Sequence, residues 1–120
     1  MFGRPGVAYV YFIYGNHHCM NVVAHAAGVA GAVLLRGAEA LEGLGDDPAT
    51  LRGPGRLARA FELAVSNTGM DLVRSTLHLR AGEPVLARGV VRSRRIGIAD
   101  STTSERPWRF SVRGSAGVTR

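Results

Sequence analysis

The stretch that decides the fold is AYVYFIYGNHHCMN, residues 8–21. It is dense in β-branched and aromatic residues, which favour extended backbone. Gly15 and Asn16 interrupt it, and these residue types accept the backbone angles that tight turns need. The stretch therefore predicts a β-hairpin over residues 7–24, with Gly15-Asn16 as the turn pair.

Further strands and short helical segments are predicted after the hairpin. Apolar residues recur at helical spacing over residues 56–66, and a single helical turn closed by glycine is expected over residues 38–45. Short connections favour antiparallel or mixed strand pairing, so the predicted class is α+β with more strand than helix. Apolar runs of strand length predict the remaining strands at residues 31–36, 77–79, 90–98 and 108–113.

The composition favours one small domain with an anionic partner. The chain has 120 residues, and all fifteen of its basic residues are arginine, giving a formal charge of +6. A GC-rich genome explains arginine in place of lysine but not the net charge, which is typical of nucleic-acid binding. The single cysteine, Cys19, fits a reducing cytoplasm. No apolar run approaches the roughly 18 residues of a transmembrane helix.

Aromatic residues are concentrated in the first predicted strand. Alternation along a strand puts Tyr9 and Tyr11 on one face and Phe12 and Tyr14 on the other. Two interpretations stay open. The sheet is covered on both sides, with the tyrosine hydroxyls at its rim, or Tyr14 projects from the hairpin tip and stacks on bases.

Two polar residues lie within apolar strands, and their presence there needs an explanation. Asn21 stands between apolar residues, and Arg36 ends the run Val33-Leu34-Leu35. A buried polar group costs about 1–3 kcal/mol if it is unpaired. A strand-edge hydrogen bond of Asn21 and extension of Arg36 to solvent are the simpler explanations.

Two basic segments are candidates for phosphate contacts. Gly53-Pro54-Gly55-Arg56 opens the predicted helix and so presents free N–H groups beside a charge. Three arginines of residues 92–95 precede Gly97, whose backbone is open to a close approach. Ordinary helix punctuation and a solvated strand face are the alternatives. The four histidines lack metal-ligand spacing, so no metal site is predicted.

Five strings follow one another along the chain: YVYFIYGNHHCMNVV at 9–23, AVLLRGAEALEGL at 32–44, GPGRLARAF at 53–61, RRIGI at 94–98 and RPWRFSVRGS at 106–115. Taken in order, they resemble the alkyladenine (3-methyladenine) DNA glycosylase family. The resemblance covers nearly the whole chain and implies a single curved, mixed or antiparallel β-sheet domain with a protruding hairpin and a few short helices. It also implies that residues 1–120 are the C-terminal part of a catalytic domain, truncated at its N-terminus, with no second domain.

The resemblance implies DNA base-excision repair. Such an enzyme flips an alkylated or deaminated purine (3-methyladenine, 7-methylguanine or hypoxanthine) out of the duplex and hydrolyses its N-glycosidic bond. Damaged purines pair and stack less well, so extruding them costs less. By resemblance, Tyr14 intercalates from the minor groove, Tyr11 stacks on the flipped base and Asn21 lines the base pocket.

The same resemblance implies how the attacking water is held. The family uses a glutamate, an arginine and a main-chain carbonyl; Arg36 matches the arginine, and Ile96 supplies the carbonyl. The glutamate of the family lies upstream of the hairpin and matches none of the glutamates of this chain. DNA contacts are implied for Asn16, His17, Arg56, Arg95 and Gly97.

These implications set the remaining expectations. No metal or other cofactor is expected, and the partner is double-stranded DNA that contains a damaged purine. A monomer is expected, in the bacterial cytoplasm at the nucleoid and away from membranes. The alternative is a catalytically inactive remnant that binds damaged DNA, because the general-base glutamate has no counterpart. For the 120-residue chain alone, base release is therefore expected at background level.

Overall fold

The computed structural model describes residues 2–97 and 105–118. Within these residues the chain forms two antiparallel sheets and one α-helix, which confirms the α+β class. The pairing is divided between two sheets where the sequence predicted one. The first sheet has the order β1-β2-β3, and the second pairs β4 with β5. The elements are β1 (Ala8–Ile13), β2 (His17–Val23), β3 (Ala32–Leu34), α1 (Pro54–Ala60), β4 (Val90–Ser93), β5 (Arg109–Val112) and the 3-10 turns Val65–Asn67 and Ala87–Gly89.

The predicted hairpin is confirmed, but its turn lies one residue earlier than predicted. β1 and β2 pair from Ala8 opposite Val22 to Ile13 opposite His17. The N–H of Asn16 donates to the carbonyl of Ile13 at 3.4 Å, so the central pair is Tyr14-Gly15. Both have positive φ, 57° and 73°. Consecutive positive φ angles suit the right-handed twist of a hairpin, and this requirement outweighs the preference for glycine at the first position.

The core lies against one face of the first sheet. Val10 of β1 stands opposite Met20 of β2, so their side chains share a face. Both are buried in one cluster with Ala58 of α1 and with Leu72. We call this side of the sheet the core face.

An irregular segment at residues 68–72 covers the outer edge of β1. The N–H of Val10 donates to the hydroxyl of Thr68 at 3.0 Å, and the same hydroxyl donates to the carbonyl of Val10 at 3.1 Å. Next to this pair, the N–H of Ala8 donates to the carbonyl of Met70 at 2.9 Å. The segment therefore satisfies backbone groups that a neighbouring strand would otherwise satisfy.

The helix differs at both ends from the predicted span of residues 56–66. It begins two residues earlier, at Pro54, because the fixed φ of proline suits the first helical turn. It ends at Ala60, and Glu62 already has a left-handed φ of 55°. Leu63 is buried in the core, but from a non-helical position. The apolar spacing thus correctly indicated that Leu63 is buried, although Leu63 lies beyond the end of the helix.

The helical turn predicted over residues 38–45 is wrong. The carboxylate of Glu39 accepts hydrogen bonds from the hydroxyl of Ser115 at 3.0 Å and from the N–H of Ala116 at 3.2 Å. These bonds connect the segment to the loop around residues 115–116. A helical turn over residues 38–45 would not make these two bonds.

The strand predicted over residues 77–79 is also wrong. The N–H of Leu79 donates to the carbonyl of Leu72 at 2.7 Å, and the ring of His78 contacts the carbonyl of Ser75 at 3.0 Å. Bonds of this kind, within residues 72–79, close a compact turn. The backbone groups that they use are not available for pairing with a neighbouring strand.

The other predicted strands exist but are shorter. β3, β4 and β5 each occupy only part of the predicted spans 31–36, 90–98 and 108–113. Residue 98 and most of the predicted loop 99–105 lie outside the described residues. No helix in the described part of the chain is long and apolar enough to cross a membrane.

Candidate nucleic-acid interface

The side of the first sheet opposite the core gathers three of the predicted site residues. We call it the pocket face and define it by Tyr9, Tyr11, Cys19, Asn21 and Arg36. Tyr9 stands opposite Asn21 and Tyr11 opposite Cys19. The two tyrosine rings lie 5.7 Å apart, as the predicted alternation requires. Arg36, just beyond β3, interacts electrostatically with Cys19 and Tyr11. The structure therefore brings Tyr11, Asn21 and Arg36 together.

Asn21 is held in place from within the hairpin. Its side chain is only 7% exposed, and its Nδ2 donates to the carbonyl of Tyr9 at 3.2 Å. A cross-strand hydrogen bond of this kind is the simpler explanation of an asparagine in an apolar strand. It also fixes the plane of the amide on the pocket face.

Arg36 carries an unused donor. Its Nε is buried and has no hydrogen-bond partner among the described residues, so extension to solvent does not explain this atom. Burial lowers the pKa of Arg36, and the nearby charge of Arg109 lowers it further. The guanidinium nevertheless stays protonated, as arginine does in proteins. An unmade hydrogen bond of a buried donor costs about 1–3 kcal/mol, so this atom is ready for an acceptor.

Tyr11 keeps its proton. Burial raises the pKa of its hydroxyl, and the charge and hydrogen bond of Cys19 and the charge of Tyr9 raise it further, against the opposing effect of Arg36. Sequence reasoning missed Cys19 and Arg109. The position of Cys19 follows from the register once the turn is known. Arg109 comes from the second sheet, and no local signal indicates its position.

Tyr14 projects from the hairpin tip, as predicted. Its side chain is 78% exposed. Its φ of 57° lies in the left-handed region, which costs a residue other than glycine about 1–2 kcal/mol. By contrast, the ring of Phe12 packs at 4.8 Å from the ring of His18 across the strands. The tip therefore presents a large, mostly exposed ring on a left-handed backbone.

A cavity of about 630 Å³ lies between the hairpin tip and α1. We call it the tip cavity. Asn16, His17 and Arg56, three residues predicted to contact DNA, line it together with Arg59. The structure thus joins the hairpin and the start of α1 in one basic recess.

Arg95, Ile96 and Gly97 follow β4 of the second sheet, one residue after its end. Gly97 has a φ of 76°, which its lack of a side chain permits. Within residues 2–97 and 105–118, no hydrogen bond joins the carbonyl of Ile96 to Arg36. The role of these three residues stays a prediction. The described residues also contain no group of three metal-ligating side chains.

A family model described as "Methylpurine-DNA glycosylase (MPG)" matches residues 1–116. The chain belongs to the methylpurine-DNA glycosylase family. This match confirms the resemblance identified from the motifs and extends over the hairpin, α1 and both sheets.

Three relatives of this methylpurine-DNA glycosylase family member carry the name "Putative 3-methyladenine DNA glycosylase". The chain is 46% identical to the protein of that name from Myxococcus xanthus, over 100% of this chain and 62% of the relative. It is 44% identical to that of an Anaeromyxobacter strain, over 100% of this chain and 61% of the relative. For Chlorobium phaeobacteroides the identity is 44%, over 85% and 56%. The chain therefore spans about three fifths of the length of these curated relatives.

Proposed function

We propose that this chain carries the damage-recognition surface of a DNA glycosylase that extrudes alkylated or deaminated purines. The observation that carries the proposal is the Tyr14 ring, 78% exposed on a left-handed backbone at the hairpin tip. Strained residues cluster at functional sites, because the surrounding structure must hold them there. Membership of the methylpurine-DNA glycosylase family supports the same function.

In this proposal the hairpin acts as a wedge from the minor groove. The Tyr14 ring fills the gap that the extruded nucleotide leaves in the base stack. Asn16, His17 and Arg56, which line the tip cavity, contact the phosphates beside that gap. Such contacts position the duplex without reading its sequence.

The extruded purine then lies on the pocket face. Tyr11 offers an aromatic surface for stacking, and the tyrosine pair favours electron-poor bases such as 3-methyladenine. Asn21 has a fixed amide plane because of its bond to Tyr9, so it can discriminate against the 2-amino group of normal guanine. Extrusion itself adds selectivity, since damaged bases leave the stack at lower cost.

Base release is the hydrolysis of the N-glycosidic bond. The oxygen of water bonds to the sugar C1′, the bond from C1′ to the base nitrogen breaks, and the base leaves with that electron pair. A general base takes the proton of the water. Arg36, with its buried free Nε, is proposed to position an acceptor there, either the water or a carboxylate that activates it. The Ile96 carbonyl is the proposed second contact of the water, and Arg95 and Gly97 are proposed to contact phosphate.

A duplex with an abasic-site analogue tests the wedge. We expect Tyr14→Ala to weaken binding about 5- to 160-fold, since stacking of one base on an aromatic ring contributes about 1–3 kcal/mol. Alanine keeps the backbone strain at this position, so the comparison isolates the ring. Tyr14→Phe is the control and should bind like the wild type. Equal affinity of the wild type and Tyr14→Ala would contradict the proposal.

Release of hypoxanthine from a duplex tests the chemistry separately. The family's general-base glutamate matches none of these 120 residues. A polypeptide of these residues is therefore expected to bind the abasic analogue and to release hypoxanthine at background rate. Turnover above background would show that another group activates the water and would exclude the alternative of an inactive damaged-DNA-binding remnant.

A further inference from the structure

A second cavity, of about 540 Å³, adjoins the tip cavity beside α1. We call it the loop cavity, because Asp47, Ala49 and Thr50 of the loop before the helix line it. Arg56 and Arg59 line both cavities. The sequence motifs indicated Arg56 as a DNA contact and left Arg59 and the loop without a role.

The two arginines are placed to act as a pair. They are three residues apart on α1, so their side chains leave the same face of the helix, about 5–6 Å apart at Cβ. Both are exposed. The Nη1 of Arg56 donates to the carbonyl of Ala49 at 3.3 Å, which anchors that guanidinium to the loop. In the part of the chain that the structure describes, no hydrogen bond or ion pair engages the guanidinium group of Arg59, whose backbone carbonyl accepts the N–H of Glu62 at 3.1 Å.

The acidic residues nearby leave Arg59 available. Glu62 lines the tip cavity and Asp47 the loop cavity. The carboxylate of Asp47 already accepts the N–H of Ala49 at 2.9 Å, within the loop. Among the described residues, neither carboxylate lies within ion-pair distance of Arg59. Its positive charge therefore faces two open recesses.

We propose that one DNA strand runs from the tip cavity across α1 into the loop cavity, with Arg56 and Arg59 bound to neighbouring phosphates. A DNA strand carries one negative charge per roughly 3.4 Å of helix axis, so guanidinium groups one helical turn apart can reach successive phosphates. Bidentate geometry makes arginine well suited to phosphodiesters. The inference rests on the proposed function and extends its DNA contact to a second recess.

The salt dependence of DNA binding tests the second phosphate contact. We would measure the Kd of the 120-residue chain for one duplex by fluorescence anisotropy between about 50 and 200 mM NaCl. Loss of one phosphate contact lowers the magnitude of the log–log slope by about 0.9. The salt-dependent change in Kd over this range should then be about 3.5-fold smaller in Arg59→Gln than in the wild type. The shift should be equal on damaged and undamaged duplex, because phosphate contacts carry no sequence information.

Arg80→Gln is the matched control. Arg80 is exposed and lines neither cavity, and its replacement removes the same charge from the chain. Its slope should equal that of the wild type. Glutamine is a good helix former, and circular dichroism would verify that Arg59→Gln retains its fold.

Two outcomes would overturn the inference, and only the second would also overturn the proposed function. If the wild type binds with a salt-dependent Kd and Arg59→Gln has the same slope as Arg80→Gln, only the second phosphate contact fails. If the wild type shows no salt-dependent binding to any duplex, the proposed function fails with it.

Discussion

The two faces of the first sheet are built from alternate residues of the same strands, yet they differ in chemistry. On the core face, Val10 and Met20 are buried among apolar side chains. On the pocket face, burial is combined with polar groups, and the Nε of Arg36 has no partner among the described residues. The first arrangement stabilises the fold, whereas the second holds polar groups at a cost in stability. Such a cost is typical of a surface kept for a ligand.

Met20→Ala is expected to have the largest effect, because it removes a side chain that is 4% exposed from the core face. The cavity should lower the free energy of unfolding by about 2–5 kcal/mol, measured by urea denaturation. Val33, which is 56% exposed, provides a control on the same sheet. Val33→Ala should change the free energy by less than about 0.5 kcal/mol. Similar losses in both variants would show that the core does not lie on this face.

Arg36→Met, on the pocket face, should change the free energy of unfolding in the opposite direction to Met20→Ala. Removal of an unpaired buried donor should raise the free energy of unfolding by about 1–3 kcal/mol, while affinity for lesion-containing duplex falls. Arg52→Met is the control, since the Nε of Arg52 donates to the carbonyl of Ala116 at 2.8 Å. Its loss should lower the free energy by about 0.5–1.5 kcal/mol. If both variants lose stability, the Nε of Arg36 is already satisfied in solution.

The smallest expected effect concerns Tyr11 at alkaline pH. Its folded pKa is raised above the usual value of about 10, chiefly by burial. The folded state therefore holds this proton more tightly than the unfolded state. That contribution is complete below about pH 10 and is lost as the pH rises through the folded pKa. The chain has no lysine, so few other groups titrate in this window.

The measurement is the free energy of unfolding as a function of alkaline pH. The wild type should lose stability more steeply than Tyr11→Phe, which lacks the titrating hydroxyl. Parallel curves would mean that Tyr11 is as solvated in the folded chain as in the unfolded one.

Local patterns predicted the hairpin and the pairing of Tyr9 with Tyr11 on one face, because alternation and β-branched residues act over a few positions. They placed the turn one residue late, since the left-handed φ of Tyr14 is imposed by hairpin twist and not by its own preference. The helix over residues 56–66 was predicted too long, because apolar spacing does not distinguish helix from buried loop.

The residues of the candidate site likewise divide into those that local patterns predicted and those that they did not. Asn21 and Arg36 stood out as polar residues in apolar strands, and the structure places both on the pocket face with Tyr11. The proximity of Arg109 to Arg36 depends on how the second sheet meets the first. The position of Arg59 in the wall of the loop cavity depends on how α1 packs beside Asp47, Ala49 and Thr50. Contacts between segments distant in sequence leave no local pattern, so neither could be predicted.

The bonds between Thr68 and Val10 have a consequence for the order of folding. The hairpin can form on its own within about 1–10 μs, because its contacts are local. Its outer edge is sealed only when Thr68, 58 residues further along the chain, has arrived. Until then the N–H and carbonyl of Val10 are free to pair with a strand of another molecule. The yield of refolding should therefore fall as the protein concentration rises, because the edge of the hairpin stays open to other molecules until residues 68–72 cover it.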